Sequence, residues 1–305
     1  MHAFFPDQSV LPLPPGHRFP MAKYAALVAQ VRHLEAEGLR LQPAHAAEDA
    51  ALTLVHDPTY VRAVQTGSLP AAAQREIGLP WSAALVARAR RSVGATVAAA
   101  HAALHEGIAC NLAGGTHHAK VSGGGGFCVF NDVAVATRVL QHAWPRRIRR
   151  VAVVDLDVHQ GNGTAEVFDQ DHSVFTLSLH GDKNFPFRKA RSSRDVPLPD
   201  GCDDPTYLQA LAQALPEVTA FGPDMVFYIA GADVLASDRL GRLALTPEGM
   251  AQRDAAVLHW AQTLGVPLVL TMGGGYAEPI EHTVHAQAHT VALALAAWRQ
   301  GAGCG

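Results

Sequence analysis

Asp155, Asp157 and His159 end the run VAVVDLDVHQGNG, Val151–Gly163. Positions two apart in a strand share a face. Two carboxylates and an imidazole therefore gather where an apolar segment leaves the core. A carboxylate oxygen from Asp157 and a ring nitrogen from His159 are two thirds of a three-ligand zinc site with one open position. A second carboxylate completes such a site. Asp233, in AGADVLASD, directly follows another apolar segment, and Gly231 before it permits close backbone approach. Taken alone, Asp-x-His reads as well as a pair of loop residues capping the next helix. Asp233 and the neighbouring polar segments favour the metal.

His117 and His118 stand between Gly114-Gly115 and the run Gly123–Gly126. Neutral imidazole takes a proton near pH 7 and suits a general base. The chain has 17 histidines, and His101, His105, His142 and His259 read as ordinary helix positions. The glycine run is no nucleotide fingerprint, because no helix start follows it directly. It lets backbone approach a ligand, with Phe127 as an apolar wall. MGGGY repeats the pattern and ends in Tyr276, whose hydroxyl can hold an oxyanion beside a metal. In isolation Tyr276 is equally a packing residue. A metal, two histidines and a tyrosine together make a hydrolytic set.

These residues need a scaffold. Apolar runs at Ile108–Leu112, Val151–Asp155, Val174–Leu179, Met225–Ile229 and Pro267–Thr271 read as buried parallel strands. Helices are expected from a Ser82 cap to Leu104, from Asn131 to His142, from Pro205 to Val218, from Thr246-Pro247 to Leu264, and after Pro279. The alternation predicts a parallel sheet with helices on both faces. Ligands bind outside the carboxyl ends of such strands, and the polar and Gly-rich segments follow those ends.

The composition bounds the function. Of 305 residues 49% are hydrophobic and 17% charged, with a formal net charge of −3, as in ordinary globular chains. Without a long basic run, nucleic-acid binding has no support; Arg146-Arg147 with Arg149-Arg150 reads as a solvated loop. Nothing resembles a signal peptide or a membrane span. Cys110, Cys128, Cys202 and Cys304 are scattered, which argues against a thiolate metal site or a disulfide scaffold. The expected location is the cytoplasm, and the expected organisation is one domain over residues 1–305.

In order, HRFPMAKY, LVHDPTYV, GGTHHA, GGGFCVFNDVAVA, DLDVHQGNGT, GADVLASD and GGGY resemble the zinc-dependent histone deacetylase family and its acetylpolyamine-hydrolase relatives, most closely the class IV branch and bacterial deacetylase-like proteins. The resemblance implies an arginase-like, three-layer αβα fold around a mostly parallel, eight-stranded sheet. It implies one zinc ion on Asp157, His159 and Asp233. His118 would be the base, His117 its electrostatic partner oriented by Asp155, and Tyr276 the carbonyl polariser. A structural potassium would involve Asp155, Asp157, His159, Ser178 and Leu179. Gly126, Phe127 and Gly274 would border the channel for an acyl-lysine side chain. Phe185 or Phe187 would supply its second wall. Asn162 stands where much of the family has aspartate, and an amide stabilises imidazolium less than a carboxylate does.

Three alternatives compete with a lysine deacylase acting on protein or peptide. A hydrolase of small acylated amines such as polyamines would favour acidic residues at the mouth, and LPPGHRFP and GLPWS contain none. An arginase-like enzyme with two manganese ions needs further carboxylates, whereas Gly161 stands two past His159. A catalytically dead acyl-lysine reader would be expected to have lost Tyr276, His118 or a zinc ligand, and all are present.

Overall fold

The computed structural model describes residues 1–6 and 10–302; Cys304 lies outside them. Eight strands form its sheet: β1 His2–Phe5, β2 Arg40–Pro43, β3 Ile108–Asn111, β4 Val151–Asp155, β5 Val174–Gly181, β6 Arg194–Leu198, β7 Met225–Ile229 and β8 Leu268–Thr271. Their order is β2-β1-β3-β8-β7-β4-β5-β6, and every ladder is parallel. The five apolar runs are β3, β4, β5, β7 and β8. The pattern omitted β1, β2 and β6, which are short, partly exposed and at or next to the sheet's edges. Pro43 and Pro197 are tolerated there because an edge strand need not donate on its outer side.

The helices are α1 Ala22–Val31, α2 Asp49–Leu52, α3 Pro58–Thr66, α4 Ala71–Ile77, α5 Ala83–Glu106, α6 Asp132–Ala143, α7 Asn162–Val167, α8 Asp204–Phe221, α9 Pro247–Leu264 and α10 Glu281–Ala302. The caps read from sequence are made. Ser82 Oγ accepts from Leu85 N–H at 3.1 Å, Asn131 Oδ1 from Ala134 N–H at 3.0 Å, and Thr246 Oγ1 from Gly249 N–H at 3.0 Å. Asp203 rather than Pro205 sets the start of α8, accepting from Thr206 N–H at 3.1 Å.

Alternation along the strands fills both cores. Ala152, Val154, Val226 and Tyr228 face the layer of α1, α8, α9 and α10, while Val151, Val153, Met225 and Phe227 face that of α3, α5 and α6. Both faces of β4 and β7 are thus buried, as in parallel sheets generally. Cys110, Cys128 and Cys202 are free and buried. Among the described residues no helix is long and apolar enough to cross a membrane.

His56 ties the layers beside the Gly-rich loop. Its Nδ1–H donates to the Lys120 carbonyl at 2.9 Å, and its Nε2 accepts from Asn131 N–H at 2.9 Å. The second bond requires neutral imidazole. Burial holds its pKa down at about 4, against an ordinary 6.5. The unfolded chain therefore takes up this proton first as pH falls, so stability from His56 is complete above 6.5 and is lost between 6.5 and 4. His180, also held at about 4 by burial, adds to the same slope. His56→Gln is expected to flatten the fall of Tm between pH 7 and 4.5 in a thermal melt series. An unchanged slope would remove His56 as its source.

Candidate active site

β4 and β7 are neighbours whose outgoing connections run to opposite sides of the sheet, β4 to β5 and β7 to β8. A crevice opens at such a reversal. The last ladder pair is Asp155↔Ile229. Beyond it the two chains separate, one carrying Asp157 and His159, the other Asp233.

These three side chains converge. One ligand atom from each lies within 4.8 Å of the others, and both carboxylates are fully buried. His159 Nδ1 is 3.0 Å from Asp157 Oδ1 and 3.2 Å from Asp233 Oδ2. Burial alone would strip His159 of a proton, but Asp157 and Asp233 outweigh it and push its pKa up to about 10. Burial and the Asp157 charge raise Asp233 to about 7. In the metal-free chain a proton on His159 thus neutralises part of a buried acidic pair. The nitrogen–oxygen donor set fits a divalent ion such as zinc in place of that proton. Asp157 Oδ2 also accepts from Gly274 N–H at 2.7 Å, and Asp233 Oδ1 from Val158 N–H at 3.0 Å. A Cβ on Gly274 would collide with the Asp233 carboxylate. Gly274 thus lies against both carboxylates, and it also lines the inner cavity with His118, Phe127 and Tyr276.

The paired histidines lie beside this cluster, their ring centroids 4.2 Å apart. Asp132, at the start of α6, anchors their loop by accepting from Gly115 N–H at 3.1 Å and Thr116 N–H at 2.7 Å. His117 Nδ1–H donates to Asp155 Oδ2 at 2.6 Å, and His118 Nδ1–H to Asn162 Oδ1 at 2.7 Å. The partners differ in charge, and so do the rings. Burial disfavours protonated His117, but Asp155 and Asp157 prevail and push its pKa up to about 9. His118 is held well below its ordinary value by burial and by His117 and His159. Its Nε2 remains free to accept. Gly126 stands against this ring at φ +50°, and a Cβ there would strike the imidazole.

Tyr276 borders both an inner cavity of about 70 Å³ and an outer opening of about 410 Å³. Burial and the Asp233 and Asp157 charges hold its hydroxyl protonated, with the pKa well above the usual value. Phe127 packs 6.0 Å from Tyr276, centroid to centroid. At φ +69° it is the one non-glycine residue with positive φ among those described, a strained conformation of the kind that concentrates at functional sites. Of the two candidates for the facing wall, Phe185 sits 4.9 Å edge-on to His118. Phe187 is 87% exposed and packs outside it.

The residues assigned to potassium lie at the end of β4, in the loop beyond it, and within the neighbouring stretch of β5. Asp155 and Ser178 face each other across the β4–β5 ladder, and Leu179 follows. The Asp155 carboxylate is also engaged by Asp157 N–H at 3.2 Å, and Ser178 Oγ lies 3.0 Å from His180 Nδ1.

Three supporting residues escaped the sequence reading. Asp238 Oδ2 accepts from Tyr276 N–H at 2.6 Å, and its Oδ1 from Leu240 and Gly241 N–H. The only hint was its place at the end of GADVLASD. Lys23, buried, donates from Nζ to the Gly275 carbonyl at 3.2 Å, with Nζ 5.3 Å from the Tyr276 ring centre. Arg253, wholly buried in α9, donates from Nη1 to the carbonyls of Leu156 at 3.2 Å and Gly231 at 2.7 Å. It spans the diverging ends of β4 and β7, and Asp254 balances its charge at 2.8 Å. No motif marks a charged residue inside an amphipathic helix as part of a distant site.

The profile described as "Histone deacetylase domain" matches residues 17–293. An uncharacterized protein of Picosynechococcus is 46% identical over 92% of this chain and 94% of its own. Histone deacetylase 2 of Arabidopsis thaliana is 39% identical over 61% of this chain, a match that spans 49% of its length. Among solved structures, the HDA15 HD domain superposes with a TM-score of 0.79 at 25% identity, covering 99% of this chain and 93% of that one. An acetylpolyamine aminohydrolase from Burkholderia pseudomallei shares the fold, with a TM-score of 0.76 at 24% identity over 97% of this chain and 98% of the other. With an all-parallel arginase/deacetylase sheet and the deacetylase profile along nearly all its length, this chain is a hydrolase that belongs to the histone deacetylase family.

Proposed function

We propose that the chain is a single catalytic domain that removes an acyl group from the side-chain amine of lysine, with one zinc ion held by Asp157, His159 and Asp233. The observation that carries this is the convergence of those three residues with His118 and Tyr276 at the base of an opening bordered by Phe127 and Phe185. A zinc ion held by these three residues would supply Lewis-acid chemistry for an amide carbonyl and for water.

The chain's own groups do the rest. His118 Nε2 takes the proton of the attacking water, and the same ring returns it to the departing amine. Protonated His117, fixed by Asp155, stabilises negative charge developing beside it. The Tyr276 hydroxyl donates to the oxyanion, with its backbone held by Asp238. Phe127 and Phe185 exclude water from the arm of the substrate. A potassium ion bound around Asp155, Asp157, His159, Ser178 and Leu179 would stiffen the end of β4 against β5. The proposed place of action is the cytoplasm. Turnover of a panel of acyl-lysine peptides by zinc-loaded protein tests the activity and fixes the acyl group. Failure on every peptide, with turnover of acetylated polyamines, would replace the lysine reading.

Two substitutions probe the mechanism further. Tyr276→Phe is expected to keep fold and metal but lose on the order of 10²–10³ in kcat, the scale of one oxyanion donor. Near-normal kcat in a metal-replete sample would take the hydroxyl out of the mechanism. Arg253→Lys keeps the charge yet gives up the planar group that reaches both carbonyls from Nη1 while Nε and Nη2 face Asp254. It is expected to weaken zinc affinity about 10–100-fold in a chelator competition, the usual scale for groups that orient metal ligands. Unchanged affinity would confine Arg253 to packing.

A further inference from the structure

The whole chain is acidic, with 27 Asp and Glu against 24 Lys and Arg, yet the outer opening of the site is basic. Arg18, Arg75, Lys183 and Arg242 line it, and Glu76 is the one acidic residue there. Lys183 and Arg242 share a carboxylate set back from the opening, Asp200, at 3.7 Å and 3.2 Å. Arg18 and Arg75 are exposed, and no ion pair involving either is found among the described residues. These four come from four separate parts of the chain: the segment before α1, the end of α4, the loop beyond β5 and the loop beyond β7. They meet only around the mouth. The inward half of the opening is different. Phe127, Phe185 and Gly126 border it, and it ends at His118, His159 and Tyr276.

We propose that this basic rim selects acyl-lysine within an acidic stretch of polypeptide, with Asp or Glu near the modified lysine, and turns away free cationic amines. The proposal rests on the lysine-deacylase reading above. An acyl-lysine side chain is neutral at its tip and fits the apolar half. The main chain to either side then lies over the rim, where neighbouring carboxylates meet the unpaired guanidinium groups of Arg18 and Arg75. An acetylated polyamine keeps at least one ammonium outside the amide, and that charge would rest against a rim whose four basic side chains outnumber its one lining carboxylate, Glu76. Charge at such a rim acts on encounter and on the choice between partners more than on the chemical step, so the discrimination falls on KM. It also weakens with salt, because these groups are solvent-exposed and screened within about 8 Å at 0.15 M ionic strength.

Zinc-loaded full-length protein would be assayed on three matched acetyl-lysine peptides, flanked by Glu, Gln or Lys, and on an acetylated polyamine, each at 50 mM and 500 mM salt. We expect kcat to vary little among the peptides. We expect KM to rise about three- to tenfold from Glu to Gln and again from Gln to Lys, the spread to shrink at high salt, and the polyamine to be the poorest substrate. In Arg18→Glu/Arg75→Glu the ranking should reverse. Equal KM values for the three peptides, a spread indifferent to salt, or a ranking unaltered by the double substitution would overturn the rim inference while leaving the deacylase reading in place. Rapid turnover of the polyamine with none of any peptide would overturn both.

Discussion

Asp233→Ala is expected to empty the proposed metal centre and abolish hydrolysis together. Asp233 is wholly buried and supplies the only ligand that comes from the end of β7. Its Oδ2 lies 3.2 Å from His159 Nδ1, and its Oδ1 accepts from Val158 N–H at 3.0 Å, so in the proposed centre one carboxylate would both ligate and hold the opposing loop. Without it the remaining pair, Asp157 and His159, gives two ligands where a catalytic zinc site takes three. Elemental analysis of the unaltered protein should find about one zinc per chain, and none above background in the variant. Asp233→Asn separates the two duties of the residue: it keeps an oxygen for Val158 and loses the charge, so it is expected to bind metal weakly and turn over slowly. A full equivalent of metal in Asp233→Ala, or two ions in the unaltered protein, would overturn the centre as drawn.

His118→Ala is expected to abolish activity with zinc retained, whereas His117→Ala leaves a measurable remainder. The difference follows from the partners. Asn162 accepts from His118 Nδ1 at 2.7 Å without adding a charge, and burial beside His117 and His159 keeps that ring neutral, with Nε2 ready to accept. His117 bonds to the Asp155 carboxylate at 2.6 Å, and Asp155 and Asp157 favour its charged form despite burial. A neutral ring beside a charged one divides base from electrostatic partner, though rings this close titrate together and any measured pKa belongs to the pair. Asn162→Asp tests the assignment through pH. A carboxylate at that position favours protonated His118, so the ring becomes neutral only at higher pH. The acid limb of kcat/KM should therefore move upward. An unmoved limb, or equal losses in the two alanine variants, would reassign the roles.

The centre of this protein was legible because its chemistry is local in sequence. Asp157 and His159 are two residues apart at a strand end, His117 and His118 are adjacent, and Tyr276 closes a run of glycines. The apolar runs before them read as buried parallel strands, and parallel strands present their carboxyl ends on one side. That sufficed to bring Asp233 to His159 across 74 residues of chain. The caps Ser82, Asn131 and Thr246 were legible for the same reason, since a cap is decided within four residues.

What depends on distant contacts was not legible. β1, β2 and β6 have no strong pattern of their own and become strands by pairing with neighbours already in place. The choice of Phe185 over Phe187 depends on which ring reaches His118, and spacing does not encode that. Spacing did not show that Gly274, besides lining the cavity, braces the acidic pair: its N–H points at Asp157 and the Asp233 carboxylate fills the space of a Cβ. Arg253, Asp238 and Lys23 act through single long-range hydrogen bonds, which leave no periodic trace. The charge of the mouth was likewise hidden: its basic residues lie in segments far apart in sequence, and only the folded sheet, by opening its strand ends toward one crevice, sets them around the same opening.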